Sequence, residues 1–234
     1  RQLSGQSVTD TDAITSSTAR VNGPNRCFSM TGTSGASVVT EANSSADQLV
    51  SNMAMTDKMN LLGIEQIVAK VQAKPTSGYR LNSISVMGRE DQEKYILWIS
   101  PEQAIHLRQD PDWQNQHLSR LEAGLGDDFA DGFVGVWNNV IVRRTHRIQT
   151  FTSGAERYGR ALLMGADALI MCWANTLSFT EDQDDYGREV GTLGYEIRGA
   201  GKIRMSTDPD ADPTGVTEDQ DLGVAQIIAA APTL

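Results

Sequence analysis

Apolar positions in the first half of the chain follow two different spacings. Between 56 and 74 they recur every three or four residues, which predicts an amphipathic helix capped by Thr56. Weak alternation over 79–87 predicts a strand, and the charged residues of 89–94 predict a turn after it. The run YILWI at 95–99 is almost entirely apolar, as expected for a strand that is buried on both faces.

The next segment continues this mixture of elements. Pro101 opens a predicted helix, where its missing N–H costs no hydrogen bond, and a second helical piece follows Pro111. Residues 124–135 are rich in glycine and aspartate and predict a loop. Residues 136–148 predict a hairpin that turns at Asn138-Asn139.

The two ends of the chain differ from its middle. Residues 1–45 are polar and rich in Ser, Thr, Gly and Asn, which predicts irregular or extended chain whose packing partner lies outside these 234 residues or in another copy. Apolar residues in 156–173 have a partly helical spacing, whereas the pattern after 176 is extended. An acidic insertion at 208–221 precedes a last predicted strand at 224–228. The succession of mixed elements followed by strands predicts an α+β fold.

Acidic residues outnumber basic ones, and most of the excess lies in one stretch. The 234 residues carry 30 acidic and 20 basic side chains, which gives a formal charge of −10. Residues 181–221 alone hold 12 acidic and 4 basic residues. Because phosphate contacts need clustered Lys and Arg, this balance disfavours a protein that reads nucleic-acid sequence. The sequence contains no run of about 18 apolar residues, which a membrane-spanning helix would need.

The two cysteines are too few and too far apart for a disulfide framework or a four-cysteine zinc site. Cys172 lies in the apolar run LIMCWA and is predicted to be a buried, inert thiol. Cys27 lies in loop-like chain and is expected to be more accessible, although nothing marks it as an activated nucleophile.

Candidate catalytic residues are few. The nearest approach to a nucleophile elbow is the string from Gly32 to Gly35 around Ser34, but its spacing is wrong and the surrounding chain is irregular. His106, His117 and His146 lack the spacing of paired zinc ligands, although the first two could share one helix face. A partly exposed helical histidine is the simpler interpretation. We therefore predict no catalytic residue and no cofactor, and keep a hydrolase that uses Ser34 as the alternative.

One acidic run resembles the start of a calcium loop. Asp208, Asp210 and Asp212 are spaced at every second residue, but Pro213 occupies the position that needs glycine and Asp219 the position that needs glutamate. An exposed acidic hairpin tip, which would also protect a sheet edge from unwanted pairing, fits this run better. A metal-dependent enzyme at these aspartates is the second form of the enzyme alternative.

Two further features admit both a structural and a binding interpretation. Arg143, Arg144 and Arg147 form a basic patch that could be a solvated strand face, an ion-pair partner for the acidic stretch or a phosphate site. Trp113 beside the Asp110-Pro111-Asp112 sequence could stack on a sugar, but a helix-capping turn with an aromatic contact is favoured.

The order of several segments resembles a known family. KYILWISPEQAIHLRQDPDW at 94–113 is followed by GFVGVWNNVIVRRTHRI at 132–148 and by RALLMGA at 160–166. This succession is similar to that of major capsid proteins of tailed bacteriophages, in the branch typified by coliphage N-four. Asp167 departs from it, because the family usually has glutamine there.

The resemblance implies a Hong Kong 97-type capsid fold. Residues 55–175 would form the axial domain, while 1–54, as a polar extended segment, and 176–234, with its strands and acidic insertion, would belong to the peripheral domain. The chain starts at Arg1 rather than Met. We expect the N-terminal arm, extended loop and spine helix of the family to precede it.

The resemblance also implies a structural function rather than an enzymatic one. Many copies would assemble as hexamers and pentamers into an icosahedral shell that encloses double-stranded phage DNA without reading its sequence. Scaffolding, portal and decoration proteins would be further partners, and no membrane would be involved. The protein would be made in the host bacterial cytoplasm and reside in the virion capsid; a decoration or tail component is the non-enzymatic alternative.

Charged residues are the candidates for contacts between copies. We expect the basic patch and the acidic stretch to lie at subunit boundaries, where shell subunits meet through ring-closing contacts. The residues concerned are Arg143, Arg144, Arg147, Asp208, Asp210, Asp212, Asp219 and Asp221.

Overall fold

The computed structural model describes residues 26–31, 38–41, 53–73, 79–86, 89–115, 133–148, 150–153, 156–184, 186, 189–206 and 219–231. Strands dominate these residues, and helices are few. The helices are α1 (Leu61–Gln72) and α2 (Pro101–Arg108), with a further helical stretch at 111–115. The strands are β1 (Cys27–Thr31), β2 (Val38–Glu41), β3 (Ile84–Val86), β4 (Arg89–Ile99), β5 (Phe133–Trp137), β6 (Val140–Arg144), β7 (Thr150–Ser153), β8 (Glu156–Met164), β9 (Ile170–Asp184), β10 (Glu189–Gly201), β11 (Arg204–Ser206), β12 (Asp219–Asp221) and β13 (Val224–Ala230).

A mixed sheet of nine described strands forms the centre of the molecule. Its main path is β2-β1-β13-β8-β4-β6-β5, while β3 pairs with β4 and β7 pairs with β8. The β1–β13 and β4–β6 pairs are parallel and the other pairs are antiparallel. Because β8 lies between β13 and β4, its backbone is paired on both edges and its apolar residues are buried on both faces.

Helix α1 covers one face of this sheet. Asn60 rather than Thr56 is its N-cap, and the Asn60 side chain accepts a hydrogen bond of 2.9 Å from the Gly63 backbone N–H. Ile64 and Ile67 lie on the apolar stripe that joins the same core as Leu163. The predicted helix is therefore confirmed, but it begins four to five residues later than the pattern indicated.

Helix α2 starts at the predicted proline. Ser100 and Gln103 form a reciprocal capping box, and Gln103 Nε2 also donates to the Gly159 carbonyl at 2.9 Å. After the helix, Asp110 Oδ2 accepts from the Leu61 N–H at 2.9 Å, which fixes the start of α1. Trp113 is buried against Gly135, as expected for a packing residue rather than a sugar platform.

The hairpin predicted for 136–148 is also present. Strands β5 and β6 pair around Asn138 and Asn139, and Asn138 has a φ of 49°. Asparagine tolerates this left-handed conformation, which the tight turn requires. The buried strand predicted for 95–99 is the end of β4, where Leu97 and Ile99 have no exposed area.

Two predictions about local structure are wrong, and two others are confirmed only in part. Residues 156–164 form β8 instead of a helical segment, because burial on both faces removes the alternation that identifies a strand. The predicted charged turn at 89–94 belongs to β4, and the strand predicted for 79–87 is confined to 84–86 among its described residues. The described strands of the first 45 residues are extended, as predicted, but β1 pairs with β2 and β13 of the same chain rather than with a partner outside it.

The sheet joins all three segments of the expected domain division. Strand β1 comes from 1–54 and β13 from 176–234, yet both are paired in the sheet that contains β4 and β8. Strand β9 crosses residue 175 without interruption. The division at 55 and 175 stays a prediction. Within the described part of the chain, no helix is long and apolar enough to cross a membrane.

Candidate assembly surface

A long two-stranded ribbon made of β9 and β10 leaves the sheet after β8. The two strands pair antiparallel from Asp184 and Glu189 near the turn to Ile170 and Gly201 at the base. At about 3.3 Å per residue the longer strand spans roughly 50 Å. Every described side chain from 190 to 200 is exposed, so the ribbon contrasts with the buried strands of the sheet.

One face of the ribbon carries two exposed aromatic side chains. Phe179 is 75% exposed and lies over Gly194, where a Cβ would come within 2.8 Å of the phenyl ring. Trp173 is 53% exposed, and its indole Nε1 donates to Glu196 Oε1 at 3.1 Å. Arg198 approaches the same carboxylate at 3.8 Å.

The opposite face is apolar as well. Leu193 and Ile197 are about three-fifths exposed, at 62% and 58%. Tyr195 stands between them, and the polar side chains of Ser178 and Asn175 beside it lower the pKa of its phenol. Among the described residues the ribbon therefore exposes apolar side chains on both faces, a pattern typical of contact surfaces.

The ribbon is held at its base by a buried ionic cluster. Lys202, which follows β10, places its ammonium 2.9 Å from Asp221 Oδ2, and Arg204 Nε lies 3.3 Å from Asp221 Oδ1. The Asp221 carboxylate is only 1% exposed. Burial lowers the pKa of Lys202, and the nearby Asp221 opposes this effect. The Arg26 guanidinium donates to the Asp221 carbonyl, which ties this cluster to the sheet beside β1.

The far end of the ribbon is acidic. We name residues 181–184, the last four residues of β9, the ribbon tip; three of the four are acidic and none is basic. Glu181 and Asp182 are both exposed there. Their carboxylates are therefore available to a partner.

The predicted basic patch lies at the end of β6 and in the turn after it. We name Arg143, Arg144, His146 and Arg147 the basic cluster. Arg143 is half-buried, with its guanidinium 5.9 Å from the centre of the Trp98 ring, whereas the other three side chains are exposed. Among the described residues, no ion pair neutralises these arginines.

Of the acidic residues predicted to lie at subunit contacts, the structure describes some and not others. Asp208, Asp210 and Asp212, together with Ser34 and His117, lie outside the described residues. Asp219 is the first residue of β12. Asp221 is already paired inside the subunit, and its place at a subunit boundary stays a prediction. No group of metal-ligating side chains occurs in the described ranges.

His106 is the described histidine nearest to a cavity. It borders a pocket of about 440 Å³ with Lys58 and Asp110. It is buried rather than partly exposed, and this burial, with Lys58 nearby, lowers its pKa. The two oxygens of Asp110 accept from the backbone N–H groups of Leu61 and Asp112, so this carboxylate has a structural role.

Both predictions about the cysteines are wrong. Cys27 is buried in β1, whereas Cys172 is exposed on the ribbon. The apolar sequence around Cys172 indicated burial, but no described element packs over that part of β9. The same cause explains why sequence reasoning missed the exposed apolar residues of the ribbon. Two signals in the sequence could have identified the ribbon. They are the glycine-rich alternation EVGTLGYEIRGAG and the acidic turn that precedes this segment.

Solved structures with a similar fold are capsid proteins of phages. The capsid of Ralstonia phage GP4 aligns with 99% of this chain at 21% identity and a TM-score of 0.59. The Cyanophage Pam1 capsid aligns with 88% at 14% identity and a TM-score of 0.54. The head of Helicobacter pylori bacteriophage KHP40 aligns with 75% at 16% identity and a TM-score of 0.50.

The chain spans only part of these relatives. It covers 62% of the Ralstonia phage protein, 54% of the cyanophage protein and 59% of the Helicobacter phage protein. Among curated proteins, none matches the sequence significantly. The model of the phage capsid protein family matches residues 11–233, nearly the whole length. This chain therefore belongs to the phage capsid protein family.

Proposed function

We propose that this protein is the major capsid protein of a tailed bacteriophage and builds an icosahedral shell around double-stranded DNA. Membership of the phage capsid family supports a structural role. The observation that carries the proposal is the ribbon, whose apolar residues are exposed on both faces among the described residues. A two-stranded ribbon is marginally stable alone in water, and the subunits of a shell would supply chain that packs against it.

We assign the fold to the Hong Kong 97 type and the sequence to the branch typified by coliphage N-four. The similarity to three phage capsid structures supports a capsid fold of this kind. The order of the segments at 94–113, 132–148 and 160–166 supports the branch. In this proposal 55–175 forms the axial domain, and 1–54 and 176–234 belong to the peripheral domain.

Copies of the chain are proposed to form hexamers and pentamers. Heterologous contacts close such rings, and many modest contacts together stabilise the shell while misplaced subunits can still leave. The net charge of −10 fits a container that does not trap the DNA it encloses. Scaffolding, portal and decoration proteins would be further partners, with synthesis in the host cytoplasm.

The test is direct observation of assembly. The purified protein should form rings or shells in negative-stain images and sediment far faster than a 25.4 kDa monomer. Mass spectrometry of virions should find it as the most abundant protein. A persistent monomer, or a low copy number in virions as for a decoration or tail component, would contradict the proposal.

A further inference from the structure

We propose that the ribbon tip docks on the basic cluster of a second copy of this chain. The inference rests on the proposed function and names the surfaces through which shell subunits meet. It assigns the negative partner of the basic cluster to 181–184 of the neighbour, where Glu181 and Asp182 are exposed.

The size of the ribbon fits an interface with another copy. Its two strands contain 15 and 13 residues. A standard protein–protein interface uses about 20–30 residues on each side. Since both faces are apolar and exposed, neighbours can cover the ribbon along its length, while the tip supplies charge at its end.

The charges of the two surfaces are complementary. The tip exposes Glu181 and Asp182, and the basic cluster exposes Arg144 and Arg147. Opposite charges at the rim of an interface steer association and fix register. Because the rim is solvated, the effect weakens as salt rises.

The topology favours a neighbour over the same chain. Met164, the last residue of β8, is opposite Ile96, and β8 runs antiparallel to β4. Arg144, the last residue of β6, pairs with Ile99 at the end of β4, and β6 runs parallel to β4. The chain therefore leaves β8 toward the ribbon and β6 toward the basic cluster in opposite directions, a separation that a contact between two copies can bridge.

Charge reversal and restoration test this contact in the full chain. Arg144→Glu with Arg147→Glu, and separately Glu181→Arg with Asp182→Arg, should each slow assembly at low salt by about tenfold. The variant with all four changes should return to within about threefold of the natural chain. Arg80→Glu with Arg108→Glu is the matched control, since both arginines are exposed outside the cluster.

A cross-link locates the contact independently. One chain carries Arg147→Cys and the other Asp182→Cys, both with Cys172→Ser to remove the exposed native thiol. An intermolecular disulfide that forms only in the mixture supports the proposal. Circular dichroism and thermal unfolding of each variant separate a lost contact from a lost fold.

The outcomes distinguish the contact from the wider function. If the natural chain assembles but the fourfold variant is not restored and no mixed disulfide forms, the docking is wrong and the capsid proposal stands. If the control slows assembly as much as the cluster variants, the effect is nonspecific and the docking is likewise overturned. A natural chain that never assembles overturns both.

Discussion

Strands β8 and β9 follow one another along the chain but have opposite environments. Leu163 on β8 has no exposed area, while Phe179 on β9 is 75% exposed. Both strands are rich in apolar residues, so hydrophobicity does not separate them. The difference lies in their neighbours, because β8 is paired on both edges within the sheet and β9 pairs only with β10 among the described strands.

This comparison shows how one chain can divide apolar residues between folding and assembly. The central sheet buries its apolar side chains inside the subunit, which stabilises the monomer. The ribbon exposes its apolar side chains among the described residues, and we propose that they contact neighbouring subunits. Changes in the sheet should therefore affect unfolding, whereas equivalent changes in the ribbon should affect assembly.

The largest expected effect comes from the ionic cluster at the junction of the two regions. Asp221→Asn leaves the buried Lys202 ammonium without its counter-charge and should lower the free energy of unfolding by about 3–5 kcal/mol. Urea unfolding measures this change. The double variant with Lys202→Met should recover part of the loss.

An exposed ion pair on the ribbon provides the contrast. Glu196→Gln removes a pair in which Arg198 is 63% exposed. Such pairs contribute about 0–1 kcal/mol, so unfolding should change little. Equal losses for Asp221→Asn and Glu196→Gln would contradict the division between the regions.

Two leucines test burial directly. Leu163→Ala should destabilise the subunit by about 2–5 kcal/mol, because it leaves a cavity between β4, β8 and β13. Leu193→Ala on the ribbon should change the free energy of unfolding by no more than about 0.5 kcal/mol, as is usual for surface positions. Thermal unfolding of the unassembled subunit measures both, and a large loss at Leu193 would show that the ribbon is packed within the monomer.

Two glycines test close packing of the backbone. In Gly165→Ala the added methyl group would collide with the backbone oxygen of Asn82, so we expect a loss of about 1–3 kcal/mol. At Gly199 a Cβ meets no atom within 4 Å, and alanine there should be neutral or stabilise by up to about 1 kcal/mol. Denaturant midpoints compare the two, and similar losses at both sites would argue against an open ribbon.

The smallest effect concerns two tyrosines at alkaline pH. Burial, the hydrogen bond with Glu156 and the charge of that carboxylate raise the pKa of Tyr158 well above 10. Above pH 10 the unfolded chain has lost the proton that folded Tyr158 keeps, so stability falls as pH rises. The contribution of Tyr195 to this pH dependence has the opposite sign. Because its pKa is lowered in the folded chain, the free energy of unfolding rises as the pH approaches 10.

Phenylalanine variants separate these two contributions. Tyr158→Phe should reduce the alkaline loss of stability, whereas Tyr195→Phe should not. The measurement is the slope of unfolding free energy against pH from neutral to alkaline solution. An unchanged slope in Tyr158→Phe would show that the pKa of this tyrosine is the same in the folded and the unfolded chain.

Several elements could be predicted from the sequence because their signals are local. The spacing of apolar residues and the proline at 101 located both helices, and Asn138-Asn139 located the β5–β6 turn. Strand β8 could not be predicted in the same way, since its burial depends on β13, a strand about sixty residues later in the chain. The basic cluster was identified as a candidate from its arginines alone, but its position relative to the ribbon base required the strand register.

The sequence by itself determined the α+β character, the acidic balance and the resemblance to phage capsid proteins. Only the tertiary structure decided which apolar segments are buried and which are exposed. It buried Cys27 and exposed Cys172, against the expectation from their neighbours in sequence. The physical reason is that burial is set by contacts between segments distant along the chain, and hydrophobic patterning within one segment does not contain that information.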